Sequence, residues 1–414
     1  MKEKRRLSVL IALHSGSFSG VDTYAEQVAA AAATASHQVT LLGQGAELAA
    51  ALAGGLGGPQ IRVLATASPR SSMWGSAARQ VPGLALMEMR GALETTLATL
   101  DERFDVAHLN HPALARAARR YANRVVVAAW FYPHHGRRRV METWRHTGAV
   151  FPKSAGLALK GLAHYWNDRQ GYSASDCIVA PTERLASHLQ NLGLHARVCP
   201  PPGRRPKSAS RGGWAKEQQA GGPLRIAICC GDLSHPRKNV AAGIQAVGRL
   251  GHAGMRVNLD LIGRKADAFE ALFAKLPASV EVHSTGPLAR ERVDAWLRKA
   301  DVLLVPSLYE EWGYVATEAL LAGTPVVAFP VYPFSEVLTR PLGLCARDMS
   351  PGSLAMAIEE VLTTGTNRPV IASAAESRFG ANEIGRRLTD IWLGDPPLSP
   401  EMPRTTARGM ALRP

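Results

Sequence analysis

Two glutamates eight positions apart, Glu310 and Glu318, lie in the segment EEWGYVATEALLAGTP that spans residues 310–325. A continuous helix would hold them about 12 Å apart. Gly313 and the residues before it break that helix, so Glu310 falls in a loop and Glu318 about one turn into the helix that follows. Helical side chains lean toward the helix N-terminus, which points both carboxylates at one small volume. The free amides of Trp312, Gly313, Tyr314 and Val315 face the same volume, backed by the positive end of the helix dipole. That arrangement suits a ligand with an anion for the amides and hydroxyls for the carboxylates, as in a sugar nucleotide diphosphate.

The elements that position these residues are legible on either side. Residues 302–305 are short, branched and unalternating, the pattern of a buried parallel strand. The helix buries Val315, Ala316, Ala319, Leu320 and Ala322. Gly323 stands at its C′ position and Pro325 prevents continuation. A second apolar run, 325–329, follows at once. The same alternation fills the chain. Residues 7–13 predict a first strand and 14–20 a loop of small residues. A helix is predicted from Asp22, which reads as its cap, and a strand at 38–42. The glycine loop lies at the carboxyl end of the first strand, where open α/β sheets bind ligands, but it is not a dinucleotide fingerprint. Further strands are predicted at 61–64, 105–109, 124–129, 176–180 and 197–199, with helices at 84–100 and 182–192. Residues 200–223 are polar, aperiodic and rich in Gly and Pro, as an interdomain linker is. The alternation then restarts with strands at 224–230, 257–262 and 279–283. Helices are predicted from Val240, at 290–299, and near the end at 350–362 and 382–392. The predicted domains are residues 1–200, a linker 201–223, a second domain 224–380, a C-terminal helix 381–394 and a Pro-rich disordered tail 395–414.

Composition narrows the partners. The 414 residues are 46% hydrophobic and carry a net charge of +14, which favours anionic ligands. Arg116, Arg119 and Arg120, and then Arg137, Arg138 and Arg139, form two basic stretches with Tyr132, Trp144, Tyr165, Trp166 and Tyr172 nearby. These read as solvated arginines or as an acceptor or anionic-membrane patch. No nucleic-acid reading motif accompanies them. The five cysteines form no C-x-x-C pair and no metal-ligand spacing, so reduced thiols and a cytoplasmic chain are expected. The basic start followed by residues 7–13 is too short in its apolar part for a signal peptide, and no run has the length of a membrane span.

At this point the chain resembles the retaining GT-B glycosyltransferases of family 4. The resemblance rests on Pro306-Ser307, Glu310 with Gly313, and Glu318-Ala319 through residues 323–327, GTPVV. Residues 19–24, SGVDTY, are similar to the family's glycine loop. Residues 104–108, FDVAH, are similar to its Asp-Val-Val-His strand. Gly231, Leu233 and Lys238 are similar to its Gly-Arg-Leu…Lys-Gly motif. The resemblance implies two Rossmann-like doubly wound domains facing across a cleft. It implies transfer of a sugar from a nucleotide sugar, UDP ahead of GDP, to a glycan, lipid-linked or natural-product hydroxyl, without a metal or other cofactor. It implies that Lys238, helped by Arg237, contacts the diphosphate and that Glu318 holds the ribose. Glu310 would position the sugar near the anomeric carbon, the amides of residues 312–315 would bind sugar and phosphate, and Gly20 would admit the N-terminal loop.

The chain also departs from that pattern. Asp232 replaces an arginine, and Arg237 is the substitute cation. Trp130 and Phe131 stand where a histidine often ends a strand, leaving His134 and His135 close by, with His108, as acceptor-side candidates. His108 also reads as a core histidine, and Trp312 as packing in its loop. Two other readings share the fold: a sugar-nucleotide epimerase or hydrolase, and a non-catalytic partner of another transferase.

Overall fold

The computed structural model describes residues 5–12, 20–44, 59–66, 84–100, 102–130, 168–204, 222–365 and 367–394. The first half forms strands β1 (Ser8–Ala12), β2 (Gln38–Gln44), β3 (Ile61–Thr66), β4 (Phe104–Leu109), β5 (Ala122–Ala128), β6 (Cys177–Ala180) and β7 (Ala196–Val198). They pair in parallel in the order β3-β2-β1-β4-β5-β6-β7. The longer helices among its described residues are α1 (Gly20–Thr34), α2 (Leu84–Ala98) and α3 (Glu183–Asn191). The second half repeats the plan with β8 (Leu224–Asp232), β9 (Val257–Arg264), β10 (Val280–Gly286), β11 (Val302–Val305), β12 (Val326–Ala328) and β13 (Gly343–Cys345), in the order β10-β9-β8-β11-β12-β13. Its longer helices are α4 (Val240–His252), α5 (Arg290–Lys299), α6 (Tyr314–Leu321), α7 (Pro351–Thr363), α8 (Arg368–Phe379) and α9 (Ala381–Leu393). Both sheets are doubly wound. The strand order reverses between β1 and β4 in one and between β8 and β11 in the other, and the crevice at such a switch point is where this architecture takes ligands. No described helix is long and apolar enough to cross a membrane.

The central strands are buried along their whole length: all of β6, β11 and β12, and all of β1 beyond its first residue. This is why they read as unbroken apolar runs. Register is pinned by an aspartate just before or at the start of a strand. Asp105 accepts from the Ser8 amide at 2.9 Å, Asp176 from Val125 at 2.7 Å, and Asp301 from Arg225 at 2.9 Å. One carboxylate thus ties each strand start to its neighbour. The device recurs across both halves.

Two sequence expectations are corrected. The first helix starts at Gly20, so Asp22 lies in its first turn and is not its cap. The first part of the supposed linker is packed, because Pro201, Pro202 and Gly203 are buried and Gly203 donates its amide to the Phe379 carbonyl at 2.7 Å. Three prolines remove donors that burial would leave unpaired, so this segment tolerates burial despite its composition. Residues 205–221 and the tail 395–414 lie outside the described residues.

The last helix crosses back to the first half. α9 lies on α1 so closely that a Cβ at Gly385 would sit 2.5 Å from the Ala31 carbonyl oxygen. One apolar cluster therefore runs from Val9 and Tyr24 through Trp130 to Trp312, Phe379 and Trp392, joining both halves.

Candidate functional site

The carboxyl edge of the second sheet carries the charged groups. β11 ends at Val305, and Ser307 begins the loop that holds Glu310. β8 ends at Asp232, and its loop reaches a short 3-10 turn, Pro236–Lys238, before α4. The two loops are clasped by the Leu308 amide, which donates to the Arg237 carbonyl at 2.8 Å. This contact brings three predicted residues together. Lys238 Nζ and Arg237 Nη1, the latter at 3.4 Å, both pair with the Glu310 carboxylate. Ser307 Oγ donates to Glu310 Oε1 at 2.8 Å. Glu310 is buried and the two cations beside it are partly exposed. The Arg237 guanidinium also lies 5.6 Å from the Tyr309 ring centroid.

Asp232, in place of the usual arginine, shapes the turn. It accepts from the Ser234 amide and hydroxyl at 3.0 and 2.7 Å and pairs with Lys265 at 2.7 Å. Those bonds, from Lys265 and Ser234, hold its carboxyl down at about 2.

Gly313 precedes α6 with φ +81°, a left-handed conformation that favours glycine. A Cβ there would meet the Phe334 ring at 2.7 Å. Gly313 caps the helix with no side chain; the Ala316 and Thr317 amides donate to its carbonyl at 2.9 and 3.4 Å, and no side chain caps the amides of Tyr314 and Val315. The Trp312 side chain is not part of this opening: its ring is buried edge-on to Phe379, centroids 5.7 Å apart. Val315 is half-buried against the core. The Tyr314 hydroxyl is enclosed without a hydrogen-bond partner, and burial, with Tyr24, Glu318 and Glu311 adding to it, pushes its pKa well above the usual tyrosine value.

Glu318 sits one turn into α6 as predicted, and its nearest cation is one that sequence reasoning did not single out. Arg204 Nε faces Glu318 Oε1 at 3.5 Å while its terminal nitrogens grip Asp294 at 2.6 and 3.0 Å. Burial raises the Glu318 carboxyl above its ordinary value, and Arg204 and Arg290 oppose the rise. Arg290 also reaches Glu26 at 3.1 Å and Thr23 at 3.4 Å on α1, across the junction of the halves. The Cys229 thiol, at the carboxyl end of β8, is pushed up to about 12, mainly by burial. It feels the charges of both Glu318 and Lys238. Arg204 carried a weak signal, an arginine after a Pro-Pro-Pro-Gly run. Its partners are too remote in sequence to be named from it.

His108 is corrected. It is fully buried, with Nε2 2.7 Å from the Tyr24 hydroxyl and Nδ1 accepting from Trp392 Nε1 at 3.1 Å. Trp Nε1 can only donate, so the ring proton sits on Nε2. Burial lowers its pKa to about 3. A neutral, enclosed imidazole between β4 and α9 is a packing residue with no exposed face for an acceptor. Gly20 opens α1, while residues 13–19, His134, His135 and residues 137–139 lie outside the described residues.

Comparison with known proteins decides the family. A model of the glycosyl transferases group 1 matches residues 214–378, and a glycosyl transferase 4-like domain matches residues 19–202. The chain belongs to the family 4 GT-B glycosyltransferases. It is 35% identical over 164 residues to an MMP alpha-(1->4)-mannosyltransferase of Mycolicibacterium hassiacum, a match covering 39% of this chain and 37% of that protein. It is 26% identical over 284 residues to a GDP-mannose-dependent alpha-(1-6)-phosphatidylinositol dimannoside mannosyltransferase of Mycobacterium tuberculosis, covering 66% and 69%. Sucrose-phosphate synthase from Thermosynechococcus elongatus superposes with a TM-score of 0.67 at 17% identity, over 94% of this chain and 99% of that one, a likeness of fold. In this family frame the Lys238, Arg237 and Glu310 cluster stands on the second, group 1 half of the chain.

Proposed function

We propose that this family 4 transferase moves a sugar from a nucleotide sugar to an acceptor hydroxyl with retention at the anomeric carbon and without a metal. The observation that supports it most is the convergence of Lys238, Arg237 and Glu310 at the switch point of the second sheet, beside an uncapped helix start. The two cations pair with Glu310. An incoming diphosphate competes for them and turns the carboxylate toward sugar hydroxyls. As the bond from the anomeric carbon to the phosphate oxygen breaks, charge grows on that oxygen. Lys238, Arg237 and the first amides of α6 stabilise it electrostatically. The acceptor hydroxyl attacks from the same face, and the leaving phosphate oxygen takes its proton. Glu310 positions and stabilises the sugar; Glu318 holds the ribose. That one relative is GDP-mannose-dependent supports GDP-mannose as a donor candidate beside the UDP-sugars. Glycans, lipid-linked sugars and natural products are the acceptor classes, and the basic first half suits an anionic or membrane-bound one.

A thermal-shift screen against UDP-, GDP-, ADP- and dTDP-sugars identifies the donor, because a ligand that binds only the folded state stabilises it. Anomeric NMR of the product from an α-linked donor should then show an α linkage, and activity should survive EDTA. A β-linked product, or loss on EDTA restored only by a divalent ion, contradicts the proposal. Donor turnover without any acceptor product moves the chain to the epimerase or hydrolase reading.

A further inference from the structure

The segment joining the two halves leaves β7 through three prolines and lies directly on the helix that carries Glu318. A Cβ added at Gly203 would sit 2.5 Å from Leu321 Cδ1 and 2.7 Å from Thr317 Cγ2, both on α6. Only a residue without a side chain lets the backbone rest there undisturbed. The next residue, Arg204, turns into the same face, where its guanidinium bonds Asp294 of α5 through two nitrogens and presents the third to Glu318. All three side chains are at most 12% exposed.

We propose that Arg204 is a positioning residue of the donor site: from the interdomain connection it sets the place and orientation of the Glu318 carboxylate, and so sets donor affinity. The proposal rests on the ribose role given to Glu318 above. Its basis is geometric. The bidentate grip of Asp294 fixes the plane of the guanidinium, which leaves the buried Nε 3.5 Å from Glu318 Oε1, an ion pair without a hydrogen bond. A carboxylate has acceptor sites beyond the one that faces Nε, and these remain for ribose hydroxyls. A lysine could supply the charge but not the planar fork that meets both acids at once.

The charges around Glu318 come from every side. Arg204 and Arg290 are cations, from the connection and from α5. Asp294, also on α5, opposes them. Cys229 at the end of β8 and Tyr314 on α6 are both held protonated by burial. Removing Arg204 leaves Arg290 alone against burial and Asp294. Glu318 then takes up a proton at higher pH.

Isothermal titration of the full chain with GDP-mannose and UDP-glucose, repeated from acid to neutral pH, tests this in wild type, Arg204→Met, Arg204→Lys and Asp294→Asn. Arg204→Met should bind the donor roughly tenfold more weakly at neutral pH, the loss of one charge-assisted contact behind a binding group. The acid limb of its affinity should move to higher pH. Arg204→Lys should return the limb to its wild-type position while recovering only part of the affinity. Asp294→Asn keeps the cation and should leave the limb no higher than in wild type. If Arg204→Met melts earlier yet binds donor with wild-type affinity and pH dependence, Arg204 only ties the connection to the second half and the proposal fails. Should that variant not fold, wild-type affinity in Arg204→Lys overturns it equally. A wild-type protein that binds none of the UDP-, GDP-, ADP- and dTDP-sugars refutes the donor-site reading itself, which the variants alone would not do.

Discussion

At the switch point of the first sheet, between β1 and β4, His108 is closed in by Tyr24 and Trp392, with Trp130 edge-on to Tyr24 at 4.5 Å. At the matching point of the second sheet, between β8 and β11, stand Lys238, Arg237, Ser307 and Glu310. The strand logic is the same and the contents are opposite. Among the described residues the first switch point carries packed aromatic side chains, and α9 lies over them. The second keeps its carboxyl edge charged and its helix start open. Duplicated topology therefore sets where a site can be, and the side chains of the flanking loops decide which copy becomes one. In the first copy a buried neutral imidazole joins the two halves; in the second, two cations pair with a buried carboxylate.

The comparison breaks most directly at Glu310. Glu310→Gln should lower transfer on the order of a thousandfold, as loss of a preorganised electrostatic group does, with melting unchanged. Near-normal turnover would return the second crevice to a structural role. The mirror experiment is Trp392→Ala, which empties the roof of the first crevice. It should cost about 3 to 5 kcal/mol in denaturant unfolding, the range for a large buried aromatic, while donor binding by the folded protein stays intact. A smaller effect is expected from acid. The His108 pKa is about 3 in the folded chain against an ordinary 6.5, so the unfolded chain binds the extra proton first. The stability that depends on neutral His108 is full above pH 6.5 and drains as pH falls toward 3. His108→Phe should flatten that part of the pH–stability curve, and an unchanged slope would show that His108 does not contribute. The smallest expected effect is at Glu318, whose carboxyl is raised by burial. A raised carboxyl is a cost above its unfolded value, so Glu318→Gln should melt slightly higher than wild type at alkaline pH, with the gain vanishing in acid, while losing donor affinity.

Much of this was legible along the chain. The unbroken apolar runs became buried parallel strands, because a strand covered on both faces needs no polar alternation. Gly313 before the helix and the position of Glu318 one turn inside it followed from local backbone demands. His108 shows the limit. Its strand was read correctly, but its environment depended on Trp392, 284 residues away. The packed start of the connection failed for a related reason: Pro and Gly mark both a solvated linker and a backbone pressed against a helix, and only the neighbour distinguishes them.

By itself, the sequence determined the two rounds of strand and helix, the helix break at Gly313 and the spacing of Glu310 from Glu318, since each is set by interactions within a few residues. Only the tertiary structure decided that Lys238 meets Glu310 across 72 residues, that Arg204 meets Asp294 across 90, and that the last helix roofs the first sheet. Those partners are chosen by how crossover helices pack and where two loops touch, and the local pattern around any one of the residues contains no trace of it.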